Sequence, residues 1–181
     1  MTDFTHQEKC LAYLLRHDKN YAFDEHAWRE VRDLVEYHGF SCEELEYIVA
    51  NSSKQRFEFT EDKFWIRACQ GHSFKVDLQL ELSIPPECLY HGTTSDKLPS
   101  IMELGLLPMS RYQVHLSVDV ATAIEVGSRR KGEVAILKVA ARKMWEDGHR
   151  FWLSRNGVWL VDTVPPEYLS VISPLNEFEL S

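Results

Sequence analysis

Cysteine is scarce and scattered in this chain. Its four residues, Cys10, Cys42, Cys69 and Cys88, form no C-x-x-C pair. That pattern excludes a disulfide framework or a zinc ribbon and points to reduced, mostly buried thiols. Long apolar runs are missing too, since none nears the roughly 20 residues of a membrane span. Met1-Thr2-Asp3-Phe4 carries neither the basic nor the apolar segment of a signal peptide. The expectation is a soluble, cytoplasmic protein with no membrane partner. Positive charge is in deficit: Lys and Arg number 20 against 28 Asp and Glu, a net charge of −8. A protein living on nonspecific nucleic-acid affinity would normally be basic. One phosphate can still sit in a local cationic pocket, because near charges outweigh distant, screened ones. Repeats, low-complexity tracts and His, Cys or acidic clusters at ligand spacing are absent as well, so no metal is expected.

What is present is a chain of 181 residues, 44% hydrophobic, enough for one sizeable core or two small lobes. Asp77-Leu78-Gln79-Leu80-Glu81-Leu82 alternates as a strand would, and Ile84-Pro85-Pro86-Glu87 then breaks any regular element. A boundary there gives two lobes, 1–80 and 81–181.

In the first lobe, Thr5 and Glu8 have capping-box spacing ahead of a stripe of Leu11, Leu14 and Leu15, with Arg16-His17 at the helix end. A second helix is expected from Trp28 to His38 on Val31, Leu34 and Val35, stopped by Gly39. Ser41 and Glu44 form another capping box before Leu45, Ile48 and Val49. Strands Arg56–Phe59 and Phe64–Arg67 flank a turn at Glu61-Asp62-Lys63. Three helices followed by a hairpin is the order of a winged helix. In the second lobe, strands at Leu89–His91, Val114–Ser117, Val134–Val139, Phe151–Leu153, Val158–Val161 and Leu169–Ile172 surround helices at Asp96–Leu104, Asp119–Val126 and Arg142–Glu146. The fold class is α+β, with a mixed second lobe.

Cationic groups recur in unusual settings. Arg16-His17 ends an amphipathic helix, Arg67 ends an apolar strand just before Gln70-Gly71-His72-Ser73, and Arg129-Arg130-Lys131 follows Gly127-Ser128. The planar, permanently charged fork of arginine suits phosphate. Each alone reads first as a solvated surface arginine, and only the group is suggestive. Tyr90-His91-Gly92-Thr93-Thr94-Ser95 follows an apolar strand and opens a helix, a junction that offers N–H groups and hydroxyls to a phosphate or sugar. Val114-His115-Leu116-Ser117 places His115 and Ser117 on one strand face. Asn156-Gly157-Val158-Trp159-Leu160 reads as a tight turn entering a strand.

Taken in order, these segments resemble the tRNA 2′-phosphotransferase family across almost the whole chain. The resemblance is carried by Leu14-Leu15-Arg16-His17, Lys54-Gln55-Arg56-Phe57, Ile66 through Ser73, Leu89 through Thr93, Gly105 through Arg111, Val114 through Ser117, Val126 through Arg129, and Asn156 through Leu160. It implies an N-terminal winged-helix lobe that takes the RNA 2′-phosphate and a C-terminal ADP-ribosyltransferase-like lobe that binds NAD. The family's catalytic Arg-His-Arg-Arg set corresponds to Arg16, His17, Arg67 and Arg129. Arg129 keeps the family spacing from Gly127, with Arg130 beside it as the alternative. The same resemblance assigns His91, Gly92, Thr93, Arg111, His115, Ser117, Val158 and Trp159 to NAD, and Gln70, His72 and Ser73 to RNA and its phosphate. Where the family often has Gly-Trp, this chain has Ala27-Trp28, and the segment 18–26 also departs from the pattern.

The implied activity, tied to tRNA splicing, is removal of an internal 2′-phosphate from RNA by way of an ADP-ribosylated RNA. The products are 2′-OH RNA, nicotinamide and ADP-ribose 1″,2″-cyclic phosphate. A phosphate monoester is largely dianionic at neutral pH and needs no base to attack. Many protein-modifying ADP-ribosyltransferases place a glutamate where this chain has Gly157-Val158-Trp159, and the missing carboxylate fits an anionic acceptor. A monomer is expected. Two alternatives remain open at this point: an ADP-ribosyltransferase that caps phosphorylated nucleic-acid ends, and a non-enzymatic winged-helix NAD sensor. The expected recognition helix, Ser41–Asn51, carries Glu43, Glu44 and Glu46 and no basic residue, so it would repel a DNA backbone.

Overall fold

Apolar spacing of 3.6 residues in some stretches and of 2 in others builds a mixed α/β structure of small antiparallel sheets and six helices among the described residues. The computed structural model describes residues 5–52 and 55–172. These fall into two units. One spans Met1–Leu80 together with Ser110–Tyr112, and the other Glu81–Met109 together with Gln113–Ser181.

The first unit runs α1 (Thr5–Arg16), β1 (Arg29–Glu30), α2 (Val31–His38), α3 (Cys42–Asn51), β2 (Phe57–Phe59) and β3 (Trp65–Ala68). Leu11, Leu14 and Leu15 of α1 are buried against Leu34, Leu45, Ile48, Phe57 and Ile66. The second helix starts at Val31 and not at Trp28, because Arg29 and Glu30 pair with Ile66 and Trp65 and make the edge of a β1-β3-β2 sheet. Gly39, at φ 73°, ends it in the left-handed region. Val35, expected in its apolar stripe, is exposed. The Ser41–Glu44 capping box is present in both directions. Thr5 is already helical, and the Glu8 carboxylate accepts from Arg56 Nη1 at 3.1 Å. Lys54, part of one resemblance motif, lies outside the described residues.

The alternation over Asp77–Leu82 does not become a strand. Gln79 sits at φ 57° and only Leu82 makes an isolated bridge, to Trp152. A strand needs a partner ladder as well as a pattern, and this segment has none.

The second unit contains β4 (Leu89–Thr94), α4 (Leu98–Leu104), β5 (Val114–Leu116), α5 (Val120–Gly127), β6 (Val134–Val139), α6 (Ala141–Glu146), β7 (Phe151–Leu153), β8 (Trp159–Val161) and β9 (Leu169–Ile172). Its two sheets are ordered β4-β6-β9 and β5-β8-β7. Tyr90 and Ser117 exchange two backbone hydrogen bonds of 2.8 Å, which join the first strand of one sheet to the end of β5. Leu89, Leu137, Val139, Phe151, Val161 and Met144 form the core. Tyr90–Ser95, read from sequence as a strand-to-helix junction, is mostly strand. Gly92 pairs with Ile136 in mid-strand. A Cβ there would stand 1.8 Å from the Ala123 carbonyl oxygen, so the glycine lets α5 cross β4 at backbone contact. Of the four cysteines only Cys69 is buried, and all are free thiols. Among the described residues no helix is long and apolar enough to cross a membrane, and no three or more His, Cys, Asp or Glu cluster as metal ligands would.

Candidate active site

The C-terminus of α1 delivers Arg16 and His17, and the loop after β3 is stitched onto it. Ser73 donates to the Arg16 carbonyl from its backbone N–H at 3.0 Å and from its hydroxyl at 3.2 Å. Gly71, at φ 94°, lets this loop turn beside the arginine: a Cβ would come within 3.4 Å of Arg16 Nε. The loop's His72 carbonyl in turn accepts from the Tyr112 N–H at 2.9 Å. Arg111, grouped by resemblance with the NAD residues, thus belongs to the first unit.

These contacts collect cations. His72 is buried, and neither ring nitrogen has a hydrogen-bond partner. Burial, then the charges of Arg16, Arg67 and His17, push its pKa down to about 3. His72 is therefore a neutral imidazole at any working pH. Burial, then Arg111 and Arg56, lower the Arg16 pKa to about 10. Nε and Nη2 of Arg16 are buried and unpartnered. Burial, then Arg16 and Arg111, also hold His17 below its ordinary value. Buried donors without acceptors are costly, and like charges drawn together are costly too. A dianion set among them would relieve both.

Arg67 is different. It is buried and already held: Nε donates to Glu58 Oε1 at 2.6 Å and Nη1 to the His26 carbonyl at 3.3 Å. Its guanidinium carbon lies 4.3 Å from the Trp28 ring centroid. Gln70 is half-buried at the start of the same loop.

In the second unit, Arg129 is exposed just past α5, with Nη2 donating to Glu125 at 3.0 Å, and Arg130 beside it is exposed too. His91 Nδ1 lies 3.1 Å from the His115 carbonyl and can only donate there. Thr93 is buried in β4, and Ser117 is half-buried beyond β5. Trp159 is buried in the core cluster, while Val158 is half-exposed in the turn before β8. That turn is held by Ser154, whose hydroxyl accepts from the Val158 N–H at 3.0 Å.

Sequence reasoning missed Glu58, Trp28 and Arg29. Glu58 was legible in principle, since a hairpin turning at Glu61–Lys63 sets it opposite Arg67. It also nominated nothing in the groove of about 680 Å³ beside α2, α3 and the hairpin, lined among others by Val31, Val35, Phe59, Phe64 and Trp65.

The family described as RNA 2′-phosphotransferase, Tpt1 / KptA family matches residues 4–163. A protein of Flavobacterium johnsoniae named as a probable RNA 2′-phosphotransferase is 46% identical over 169 residues, covering 89% of this chain and 92% of its own. One of the same name from Nostoc punctiforme is 54% identical over 130 residues, 72% and 71% of the two chains. Another from Rhodopirellula baltica is 46% identical over 171 residues, 90% and 92%.

Proposed function

The chain belongs to the RNA 2′-phosphotransferase, Tpt1 / KptA family, and from that premise we propose that it is a transferase using NAD to remove an internal 2′-phosphate from RNA. The element order α1, β1, α2, α3, β2, β3 supports a winged-helix lobe that receives the RNA. The two small sheets of the second unit support an ADP-ribosyltransferase-like lobe that receives NAD. The observation that carries the reading is the set of unpartnered donors on Arg16 and His72, gathered with His17, Arg67 and Arg111. An acidic protein has no structural need to bury such a group, whereas a phosphate dianion would satisfy it.

In the reaction, an oxygen of the RNA 2′-phosphate displaces nicotinamide from the ribose carbon of NAD, giving ADP-ribosylated RNA. The adjacent ribose 2″-hydroxyl then attacks phosphorus. The bond to the RNA 2′-oxygen breaks, and ADP-ribose 1″,2″-cyclic phosphate leaves a 2′-OH on the RNA. Arg16 and His72 bind the phosphate oxygens, and Gln70 and Ser73 frame the loop that holds them. Arg67 and Arg129 add charge at the phosphorus during the second step. His17, titrating below the ordinary histidine value, moves the proton from the 2″-hydroxyl towards the departing 2′-oxygen. His91, Thr93, His115, Ser117 and Val158 hold the ADP-ribose, with Gly92 and Trp159 shaping the backbone beneath it. Arg111 contributes charge to the phosphate.

The test is a short RNA with one internal 2′-phosphate incubated with NAD. The expected result is phosphate loss with stoichiometric nicotinamide and cyclic phosphate. An ADP-ribosylated RNA that persists would point to capping, and no nicotinamide release would refute the NAD reading.

A further inference from the structure

Arg67 leaves β3 on the face away from the helical core, since its neighbours Ile66 and Ala68 are buried in that core. Three groups meet it there. Glu58, its cross-strand partner in β2, accepts from Nε at 2.6 Å. The His26 carbonyl accepts from Nη1 at 3.3 Å. The Trp28 ring covers one face of the guanidinium at 4.3 Å. The last two come from one tight loop. Asp24 Oδ1 accepts from the N–H groups of His26 and Trp28 at 3.0 and 2.9 Å, and Ala27 between them takes φ 60°. That left-handed geometry favours glycine, which is what the family often places before this tryptophan.

Taking Arg67 as a residue that touches the transferred phosphate, as proposed above, we infer that Glu58 is its positioning residue: it fixes the guanidinium plane before substrate arrives, with Trp28 and the His26 carbonyl completing the clamp. Two observations favour this over a structural ion pair. The pair is nearly dry, with side-chain exposures of 2% for Arg67 and 14% for Glu58. Such pairs are seldom better for stability than apolar packing of the same volume. The Arg67 charge also reaches the unpartnered His72, so the clamp stands at the cationic cluster and not in a remote part of the core. An arginine that must be within a fraction of an ångström of a developing charge gains from losing its rotamer freedom in advance. Arg16, with its donors open, is the binding partner; Arg67, clamped, is the oriented one.

The experiment uses the full chain as wild type, Arg67→Ala, Glu58→Ala, Glu58→Gln and Glu58→Ala/Arg67→Ala. The probe is the 2′-phosphorylated RNA with NAD in single turnover, resolving the joined RNA–ADP-ribose species from final product. Removing one stabilising donor commonly costs on the order of 10²–10³ in rate, so Arg67→Ala should lose about that in the second step and accumulate the joined species. Glu58→Ala should accumulate the same species with roughly a tenfold loss, and Glu58→Gln, whose amide oxygen still accepts from Nε, should stay within about threefold of wild type. The double variant should be no slower than Arg67→Ala, because a positioning residue acts only through its target. Additive losses, or a Glu58→Ala protein as fast as wild type while Arg67→Ala is slow, would overturn the inference. A fully active Arg67→Ala would instead refute the role of Arg67. One readout stands apart from activity: the Arg67 Nε–H resonance of the ¹⁵N-labelled chain should be protected in wild type and Glu58→Gln and lost in Glu58→Ala. An unprotected resonance in wild type overturns the clamp even if the enzyme works as proposed.

Discussion

Arg29 and Arg16, two arginines of the first unit, meet opposite surroundings. Arg29 is saturated. Nε donates to Asp33 at 2.6 Å, Nη1 to Asp18 at 2.8 Å and to the Leu14 carbonyl at 3.0 Å, and Nη2 meets His38 Nε2 at 2.7 Å. Tyr21 covers its face at 4.3 Å. Burial pushes the Asp18 carboxyl up, but the Asn20 N–H and Arg29 outweigh it and hold it below its usual range. Arg16 has buried nitrogens with nothing to donate to, and the charges of Arg111 and Arg56 weigh on it more than Cys69 and Glu8 offset. One nest is complete and serves the fold. The other keeps open donors, which the proposed function assigns to a phosphate.

The comparison breaks most visibly under truncation. Arg29→Met strands Asp18 and Asp33 and should cost about 3–5 kcal/mol of stability. Arg16→Met should leave stability nearly unchanged while lowering single-turnover activity by about 10²–10³. Urea unfolding and rate measurements on both variants decide this, and equal stability losses would erase the distinction.

A smaller effect sharpens it through His72. Its folded pKa of about 3 lies below the ordinary histidine value of 6.5. The unfolded chain therefore binds the extra proton between those values. The stability this histidine contributes is complete above pH 6.5 and is lost as pH falls towards 3, at up to about 1.4 kcal/mol per pH unit. His72→Gln should flatten the fall in unfolding free energy between pH 7 and 5. Parallel wild-type and variant curves would mean that His72 charges freely in the folded state.

The smallest effect concerns His17, whose pKa is held down by burial, then Arg16 and Arg111. If neutral His17 takes up the proton, the second-step rate in single turnover should fall in acid with a limb below pH 6.5, and Arg111→Ala should move that limb to higher pH. A limb that stays in place removes Arg111 from the electrostatics of the site.

Much of the second unit was legible because its strands carry their own pattern: Val134–Val139 is apolar and β-branched enough to be a central strand, and it is one, flanked by β4 and β9. The same reasoning failed at Asp77–Leu82, where alternation without a neighbouring strand makes no sheet. It failed differently at Tyr90–Ser95, read as a strand-to-helix turn, where Gly92 pairs in mid-strand and packs against α5. Arg16, His17 and Arg67 were nominated by position in a motif. Glu58 and Trp28 were not, because they reach Arg67 through register and loop geometry, and Arg111 was nominated for NAD while only long-range contact put it in the first unit.

By itself the amino-acid order determined which helices and strands could form, since periodicity and capping are local, and it carried the family resemblance in a series of short motifs. Only the folded chain decided which arginine is satisfied, which is clamped and which is left with open donors. That property depends on groups brought together from distant positions, and no spacing along the chain encodes it.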